Sequence, residues 1–322
     1  MTANQTEILS DVLLGEVLFA VTLILSLVVC TANCLTIVVF WRTTTLRTLA
    51  NLYVVSLASV DLLVGLFLVP LSLFILPSSR VRLYYRHIYL CVFINSFNVG
   101  MIANSLAHLT VISVDRYLYI VKPYLYQRLV NFRSVLCCIA VAWVVGLCYM
   151  IPPYFVFRNT LSASYCDATQ LLPRWYLFYF TWIGYFSSAC IILTMFIIVL
   201  RTAYKHQRRI HAWKVSSSRV RDPGKQHSRS TYKSFKLFLT MFGAFFVCIT
   251  PVVLCSGLDY VTRTPPWLYR GLIVLALFNS GMNFLVLILQ NRQFRHQLWT
   301  LCKSLGSGNC LYPRKAAIGS AC

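Results

Sequence analysis

The sequence predicts an all-α membrane protein, a seven-transmembrane helix bundle with a short amphipathic helix after the seventh span. Of its 322 residues, 58% are hydrophobic and only 11% are charged, whereas an average soluble protein is about 25% charged. Seven apolar runs each approach or exceed the ~20 residues that a helix needs to cross a bilayer. These runs cover residues 13–40, 50–76, 88–112, 135–157, 175–200, 235–258 and 267–290.

The positive charge of the chain indicates its orientation in the membrane. The net charge is +21, and most of the 29 Lys and Arg residues lie in the segments that follow an odd-numbered span. Basic residues collect in the cytoplasmic segments of membrane proteins. We therefore expect a multi-pass plasma-membrane protein with its amino terminus outside and its carboxyl terminus inside. Membrane lipids, and no nucleic acid, are the expected partners of this charge.

Three regions follow from this topology: an extracellular amino terminus at 1–12, the helix bundle at 13–290, and an amphipathic helix with a cytoplasmic tail at 291–322. The first apolar run is too long for the core of a signal peptide, so we interpret it as a retained span. Asn4 begins an Asn-Gln-Thr glycosylation sequence on the expected outer side.

The first two spans contain isolated polar residues. An amide in the middle of an apolar helix, such as Asn33, should face the bundle, where it finds a hydrogen-bond partner. Asp61, in the second span, is the only acid in the interior of any predicted span. A carboxylate there faces a cavity, a cation or a proton path. The alternative is a neutral, hydrogen-bonded aspartic acid.

The third span lies between Cys91 and Arg116. A helix of this length places its two ends ~37 Å apart, which is a full membrane thickness. Cys91 is therefore expected outside, where disulfides persist. Cys166 is the other cysteine expected in an extracellular segment, and we predict that the two are bridged. At the inner end, Asp115-Arg116-Tyr117 places an acid beside a base where the apolar run stops.

The next three spans have fewer polar residues. Trp143 lies in the middle of the fourth, the fifth is rich in Phe, Tyr and Ile, and a basic, Ser-rich segment follows it. Pro251 lies inside the sixth span, where proline removes a helical hydrogen bond and allows a bend. We expect the inner half of this helix to move about that point.

The seventh span contains a polar cluster that runs from Asn279 to Asn283. Beyond Gln290 the sequence becomes basic and amphipathic, which predicts a helix lying on the inner leaflet. Cys302, near the end of this helix, is a candidate for reversible palmitoylation.

Together these features resemble the rhodopsin-like (class A) G-protein-coupled receptors, over residues 31–302. The matching residues occur in the family's order, about one group per span: Asn33; Leu57-Ala58 with Asp61; Cys91 with Cys166; Asp115-Arg116-Tyr117; Trp143; Phe245 with Cys248 and Pro251; Asn279 with Asn283; and Phe294-Arg295. The segments Leu46-Arg47-Thr48 and Ala203-Tyr204-Lys205-His206-Gln207 look most like the amine and trace-amine branch.

The resemblance implies roles for these residues. It assigns G-protein coupling and activation to Asp115, Arg116, Tyr117, Phe245, Pro251 and Asn283. A sodium ion, the one cofactor it implies, would lie among Asp61, Ser105, Asn279 and Asn283, all of which offer the oxygen ligands that hard cations prefer. The implied partners are an extracellular ligand, a heterotrimeric G protein, arrestin and a receptor kinase.

The position at which amine receptors hold the ligand's ammonium with an Asp matches Asn98. An amide cannot neutralise a cation, so we expect that an ordinary protonated monoamine is not the ligand. The other residues that match pocket positions are mostly apolar: Val99, Ile102, Phe180, Thr181, Gly184, Val252, Val253, Ile273 and Leu277.

Several positions that switch the family between states also differ. The family's toggle tryptophan matches Ile249, and the inner tyrosine of the fifth span matches Phe196. The seventh-span Asn-Pro-x-x-Tyr motif becomes Asn283-Phe284-Leu285-Val286-Leu287. The acid that would restrain Arg116 from the sixth helix is absent, and Thr231 and Lys233 lie there instead. These losses have opposite effects on opening, so they do not predict the sign of basal activity.

The leading hypothesis is therefore an orphan-like receptor that transmits an extracellular ligand signal to heterotrimeric G proteins. The alternative is a non-signalling or constitutively active seven-helix protein that acts as a membrane partner or in trafficking. A single interior acid is too few for a channel or transporter path. An enzyme is not expected, because His108 stands in the third span without metal-ligand spacing.

Overall fold

A computed structural model of the protein shows one bundle of long helices. It describes residues 3–72, 88–156, 173–216, 224–258, 262 and 264–306. Within these ranges side chains are described except at 3–11, 69–72, 88, 174, 177, 180, 203, 206–216, 224–236, 238, 266, 305 and 306. The described ranges contain no β-strand.

Seven long helices, labelled α1 to α7 in chain order, are followed by a shorter helix α8. Their bounds are α1 Ala3–Arg42, α2 Leu49–Ser72, α3 Ile88–Val121, α4 Phe132–Met150, α5 Gly184–Ser216, α6 Gly224–Leu258, α7 Pro266–Gln290 and α8 Arg292–Gly306. Seven helices of the described residues are long and apolar enough to cross a membrane. The predicted seven-span bundle with a short helix after it is confirmed.

Short helical segments occupy several of the connections. A 3-10 turn at Thr44–Leu46 joins α1 to α2, and the helix Pro123–Leu129 joins α3 to α4. One turn of helix, Pro153–Val156, follows α4. The fifth span begins with Arg174–Tyr176 and a π-helical segment, Leu177–Ile183, that continues into α5. Single π turns are rare and are often found at functional sites.

Several helices extend beyond the apolar runs that predicted them. α3 continues through Arg116 to Val121, because the paired charges of Asp115 and Arg116 do not interrupt helical geometry. α1 already begins at Ala3 and crosses the predicted 12/13 boundary, since the preceding residues include no Gly or Pro. Apolarity marks the part of a helix that lies in lipid, not where the helix ends.

Local signals explain some of the ends. α4 starts at a capping box in which Asn131 Oδ1 accepts from the Ser134 backbone N–H at 3.0 Å and Ser134 Oγ accepts from the Asn131 N–H at 2.9 Å. At the same end of the bundle, α8 starts after Asn291, whose side chain accepts a hydrogen bond from the N–H of Phe294 at 3.1 Å.

The α8 helix is tied to the bundle by one aromatic residue. Phe294 is fully buried, with its ring 5.7 Å from that of Phe40 and 6.1 Å from that of Phe284. Trp299 and Cys302 are exposed on the same helix, and Cys302 is a free thiol. One side of α8 therefore packs on protein and the other is available to lipid. Palmitoylation of Cys302 stays a prediction.

The interior of the bundle is a largely apolar core that also holds the isolated polar residues of the spans, and the outer surface is apolar as well. The most extensive helix contacts join α1 to α2, α3 to α4, α3 to α5 and α6 to α7. Leu27, Val247 and Leu289 are at least 70% exposed on the outer surface, as expected where lipid replaces water. Below, the end of the bundle nearer Cys91 is the Cys91 end, and the opposite end is the Arg116 end.

Candidate functional site

A cavity of ≈ 200 Å³ opens among α3, α4, α5, α6 and α7. Most of the predicted pocket residues line it: Asn98, Val99, Ile102, Thr181, Gly184, Val252, Val253, Ile273 and Leu277. The side chain of Phe180 lies outside the described residues. The structure thus brings together the residues chosen from sequence, and their use in ligand binding stays a prediction.

The prediction did not include several other residues of the lining, notably Asn95, Tyr149, Tyr185, Ser188 and Tyr269. Two of them had a signal in the sequence. Tyr185 and Ser188 follow Thr181 by four and seven residues, so all three lie on one helical face. Tyr149 and Tyr269 enter from α4 and α7, whose rotation the sequence alone does not define.

The described lining has no charged side chain, and most of its surface is apolar although several amide and hydroxyl groups reach it. Asn98 donates its amide N–H to the carbonyl of Ile94 at 2.8 Å, which leaves its amide oxygen as the acceptor. The hydroxyl of Thr181 is buried without a hydrogen-bond partner. Acceptor and hydroxyl lie on different helices, with apolar surface between them. Such a cavity suits a neutral molecule with a few polar atoms.

Cys91 is disulfide-bonded at the start of α3. Its predicted partner Cys166 lies outside the described residues, so that pairing stays a prediction. Asn4 lies in the first turn of α1, but its side chain is also outside the described residues.

A buried polar cluster lies between the cavity and the Arg116 end. Asp61 is fully buried, and its Oδ2 accepts a hydrogen bond from Asn283 Nδ2 at 2.7 Å. Two oxygens of the cluster, Asp61 Oδ1 and Asn279 Oδ1, are buried without a hydrogen-bond partner. Buried acceptors are normally satisfied, and orphaned oxygens of this kind suit a hard cation. These residues therefore fit the sodium site that the resemblance implies.

The polar cluster adjoins the large cavity through a second, smaller one of ≈ 20 Å³. Ser105 and Asn279 line this small cavity, and so do Asn98 and Ile102, which also line the large one. Its volume is enough for a single water. The predicted sodium residues thus divide into a bonded pair, Asp61 with Asn283, and two residues at the adjacent small cavity.

His108 is part of a hydrogen-bond network between helices. It is fully buried, with Nε2 2.8 Å from the hydroxyl of Ser56 and Nδ1 3.0 Å from the carbonyl of Asn104. Trp143 Nε1 donates to the same hydroxyl at 3.1 Å. The described residues contain no group of three or more potential metal ligands. His108 therefore links α2, α3 and α4 as a structural residue.

The Arg116 end contains the buried ion pair. Arg116 Nε and Nη2 both donate to Asp115 Oδ2, at 3.0 and 2.5 Å. The two residues are only 7% and 4% exposed. The guanidinium also lies 5.6 Å from the ring centroid of Tyr119. Tyr117 is half-buried and packs against the main apolar core.

Tyr126, in the segment Pro123–Leu129, lies against this ion pair and is hydrogen-bonded to Asp115. Burial of its phenol, and secondarily the nearby negative charge of Asp115, raises the pKa of Tyr126 to about 12. Its ring lies 5.2 Å from that of Tyr119. A tyrosine is neutral at physiological pH even without this shift, so Tyr126 brings an uncharged hydroxyl to the ion pair.

The switch positions of α5, α6 and α7 are filled by apolar side chains. Phe245 is 1% exposed, and Phe196 and Leu287, which match the missing tyrosines, are also buried. Gln290 Nε2 donates to Thr240 Oγ1 at 2.7 Å, a neutral link between α7 and α6 near the Arg116 end. The side chain of Thr231 lies outside the described residues.

Comparison with known proteins places these features in context. Residues 32–287 match the family described as 7 transmembrane receptor (rhodopsin family). The chain is 28% identical to melatonin receptor type 1B-B of Danio rerio, over 87% of this chain and 80% of that protein. It is 29% identical to melatonin receptor type 1A of Gallus gallus, over 82% and 74%. It is 26% identical to adenosine receptor A2b of Mus musculus, over 90% and 92%. These relatives give no support to the resemblance to the amine and trace-amine branch.

Proposed function

The chain belongs to the rhodopsin family of seven-transmembrane receptors, and we propose that it transmits the binding of an uncharged small molecule to heterotrimeric G proteins. The ligand lodges in the cavity of ≈ 200 Å³. The G protein engages the Arg116 end, and arrestin and a receptor kinase act on the same side. This requires the amino terminus outside and the carboxyl terminus inside, as the distribution of basic residues predicts.

The observation that carries the ligand class is the uncharged lining. An ammonium ion entering such a cavity loses its hydration without gaining a counter-charge, which costs several kcal/mol. A cavity of about 150 Å³ holds benzene, so a compound of one or two rings fits the volume found here. Melatonin and adenosine, for which the relatives are named, are both uncharged ring compounds at neutral pH.

A matched pair of ligands tests the charge requirement. N-acetyltryptamine is uncharged and tryptamine is protonated, and otherwise the two share one ring system. We expect the uncharged member to raise the melting temperature of the purified receptor at a concentration at least tenfold lower. Asn98→Asp should move the preference toward tryptamine, because it supplies the missing carboxylate.

Two results would contradict the proposed ligand class. One is micromolar activation of the unaltered receptor by a protonated monoamine that Asn98→Ala abolishes. The other is an Asn98→Asp variant whose preference between the two tryptamines is unchanged. A cell assay across the G-protein classes and arrestin, with uncharged ring compounds as the library, then identifies the agonist and the coupling.

We also assign a sodium ion to Asp61, Ser105, Asn279 and Asn283. When bound, the ion would balance the charge of the Asp61 carboxylate and take its other ligands from the neutral oxygens of the cluster, and it would stabilise the folded protein by mass action. Replacing sodium chloride with N-methylglucamine chloride should therefore lower the melting temperature. Asp61→Asn should melt at the same temperature in both salts. An equal sodium response in both proteins would refute the assignment.

The alternative of a non-signalling membrane partner is not favoured, because the relatives named above are all receptors. A variant at Arg116 separates the two functions and is argued in the Discussion.

A further inference from the structure

Tyr185 belongs both to the cavity wall and to the contact between α5 and α6. It lines the cavity and is 4% exposed. Its hydroxyl lies 2.6 Å from Oγ1 of Thr250. Thr250 directly precedes Pro251 inside α6. A residue of the cavity wall is thus hydrogen-bonded to the turn of α6 that contains the proline.

The turn of α6 that contains Pro251 is held by fewer backbone hydrogen bonds than the regular turns of the helix. Pro251 has no N–H, so the carbonyl of Val247 loses its helical hydrogen bond. A side-chain hydrogen bond from a neighbouring helix therefore stabilises the geometry of this turn more than it would stabilise a regular turn. Breaking it lowers the cost of a local rearrangement.

A column of aromatic rings continues from Tyr185 toward the Arg116 end. Ring centroids are 5.5 Å apart between Tyr185 and Phe246, 4.4 Å between Phe246 and Phe242, and 5.1 Å between Phe242 and Phe196. The first and last rings of the column belong to α5 and the middle two belong to α6. Because packed interiors have few voids and transmit strain, a displaced Tyr185 also moves the rings of α6.

The position of the family's toggle tryptophan cannot serve the same purpose here. Ile249 is 1% exposed and lines the small cavity rather than the large one. An isoleucine offers no hydrogen-bonding group. Tyr185, by contrast, has one face on the cavity and a directional bond to the hinge.

We propose that Tyr185 couples occupancy of the cavity to the hinge at Pro251. This is the role of the family's toggle tryptophan, whose position is occupied by Ile249 in this chain. The inference rests on the proposed function, because it treats the cavity as the ligand site. A ligand ring seated against Tyr185 turns its side chain, the bond to Thr250 breaks, and the proline turn rearranges. The ligand shifts this equilibrium only because it contacts the two states differently.

Three variants test the bond. Tyr185→Phe removes only the hydroxyl, Thr250→Val replaces the hydroxyl with a methyl group, and the double variant combines them. In purified full-length protein, hydrogen–deuterium exchange of peptides from the 242–256 segment should rise about two- to tenfold in each single variant, the range of one neutral hydrogen bond. Since both substitutions remove the same bond, the double variant should exchange no faster than the faster single variant.

Matched controls isolate the bond from general loosening. Thr250→Ser keeps a hydroxyl and should exchange like the unaltered protein. So should Tyr179→Phe, at an exposed tyrosine of the π-helical segment, and Thr194→Val, at an exposed threonine of α5. The proposal is overturned if Tyr185→Phe matches Tyr179→Phe, or if the two single effects multiply in the double variant.

A tethered probe tests whether occupancy acts through Tyr185. Ile273→Cys places a thiol on the α7 wall of the cavity, and benzyl methanethiosulfonate then attaches a ring there. The same reagent on protein without this substitution shows what the other free cysteines contribute. Labelling should raise the hydrogen–deuterium exchange of the 242–256 segment. When Tyr185→Phe is added to Ile273→Cys, the increase on labelling should be at most half as large. An equal rise in both would mean that occupancy reaches α6 without Tyr185.

Failure of this inference is distinguishable from failure of the proposed function. The exchange measurements need neither a natural ligand nor a G protein. If they come out as expected and no G protein responds in cells, the signalling function fails and the role of Tyr185 stands. If a G protein responds and Tyr185→Phe leaves both exchange and signalling unchanged, the role of Tyr185 fails alone.

Discussion

Arg116→Ala is expected to abolish nucleotide exchange on every G protein that the unaltered receptor activates, and also to destabilise the fold. The guanidinium is the group that the family resemblance assigns to the G-protein contact. Its loss also leaves the carboxylate of Asp115, which is 4% exposed, without its partner. Removing one member of a buried ion pair costs about 3–5 kcal/mol. The single variant therefore combines the loss of the G-protein contact with a loss of stability, and a second substitution separates the two.

The double variant Asp115→Asn/Arg116→Ala removes the unpaired charge together with the arginine. We expect it to recover most of the lost melting temperature, measured in detergent, and still to give no exchange in a nucleotide-binding assay. Asp115→Asn alone removes the charge that restrains Arg116 and should raise ligand-free exchange. If the double variant is stable and signals normally, Arg116 is not the coupling residue. If no variant changes any readout, the non-signalling partner is the better description.

The membrane spans could be predicted because lipid imposes a strict rule. A spanning helix must be apolar over a fixed length, so the runs that predicted α2, α4 and α7 lie close to the helices observed. The ends were harder to predict. Outside lipid, nothing requires a helix to stop where apolar sequence stops, and both α3 and α6 continue into polar sequence.

The cavity was largely predictable because family positions fix which face of each helix points inward. Asn98, Thr181 and Val253 were chosen in this way and line one cavity. Tyr149 and Tyr269 were not, because their inclusion depends on how α4 and α7 are rotated and tilted. That rotation arises from packing, such as the close approach of Gly100 to the backbone carbonyl of Gly146.

The hydrogen bonds between helices were beyond reach from sequence. The bond between Tyr185 and Thr250 joins residues that lie 65 positions apart, and that between Gln290 and Thr240 joins residues 50 apart. Each depends on the register of two helices to within about one turn. Comparison with the family pattern shows which switch residues this chain lacks. It does not show which residues of α5 and α7 make contacts in their place.

Gly257→Ala is expected to give the largest loss of stability among single methyl additions to α6. A Cβ at position 257 would overlap the indole ring of Trp182, which packs from the π-helical segment onto α6. Overpacking typically costs about 1–3 kcal/mol, and a fused ring in a crowded interface has few other rotamers. We expect a lower melting temperature and reduced surface expression.

Gly243, another glycine of the same helix, is the matched control. A Cβ at Gly243 meets nothing within 4 Å, so Gly243→Ala should be neutral or stabilise the helix by up to ~1 kcal/mol. Trp182→Leu combined with Gly257→Ala should recover most of the stability, because the smaller side chain leaves room for the methyl group. If Gly257→Ala melts like Gly243→Ala, then Trp182 does not lie against α6, and the helices that frame the cavity are arranged differently. If the loss of stability in the double variant instead equals the sum of the losses in Gly257→Ala and Trp182→Leu, the two residues act independently, and the close approach of the π-helical segment to α6 has another cause.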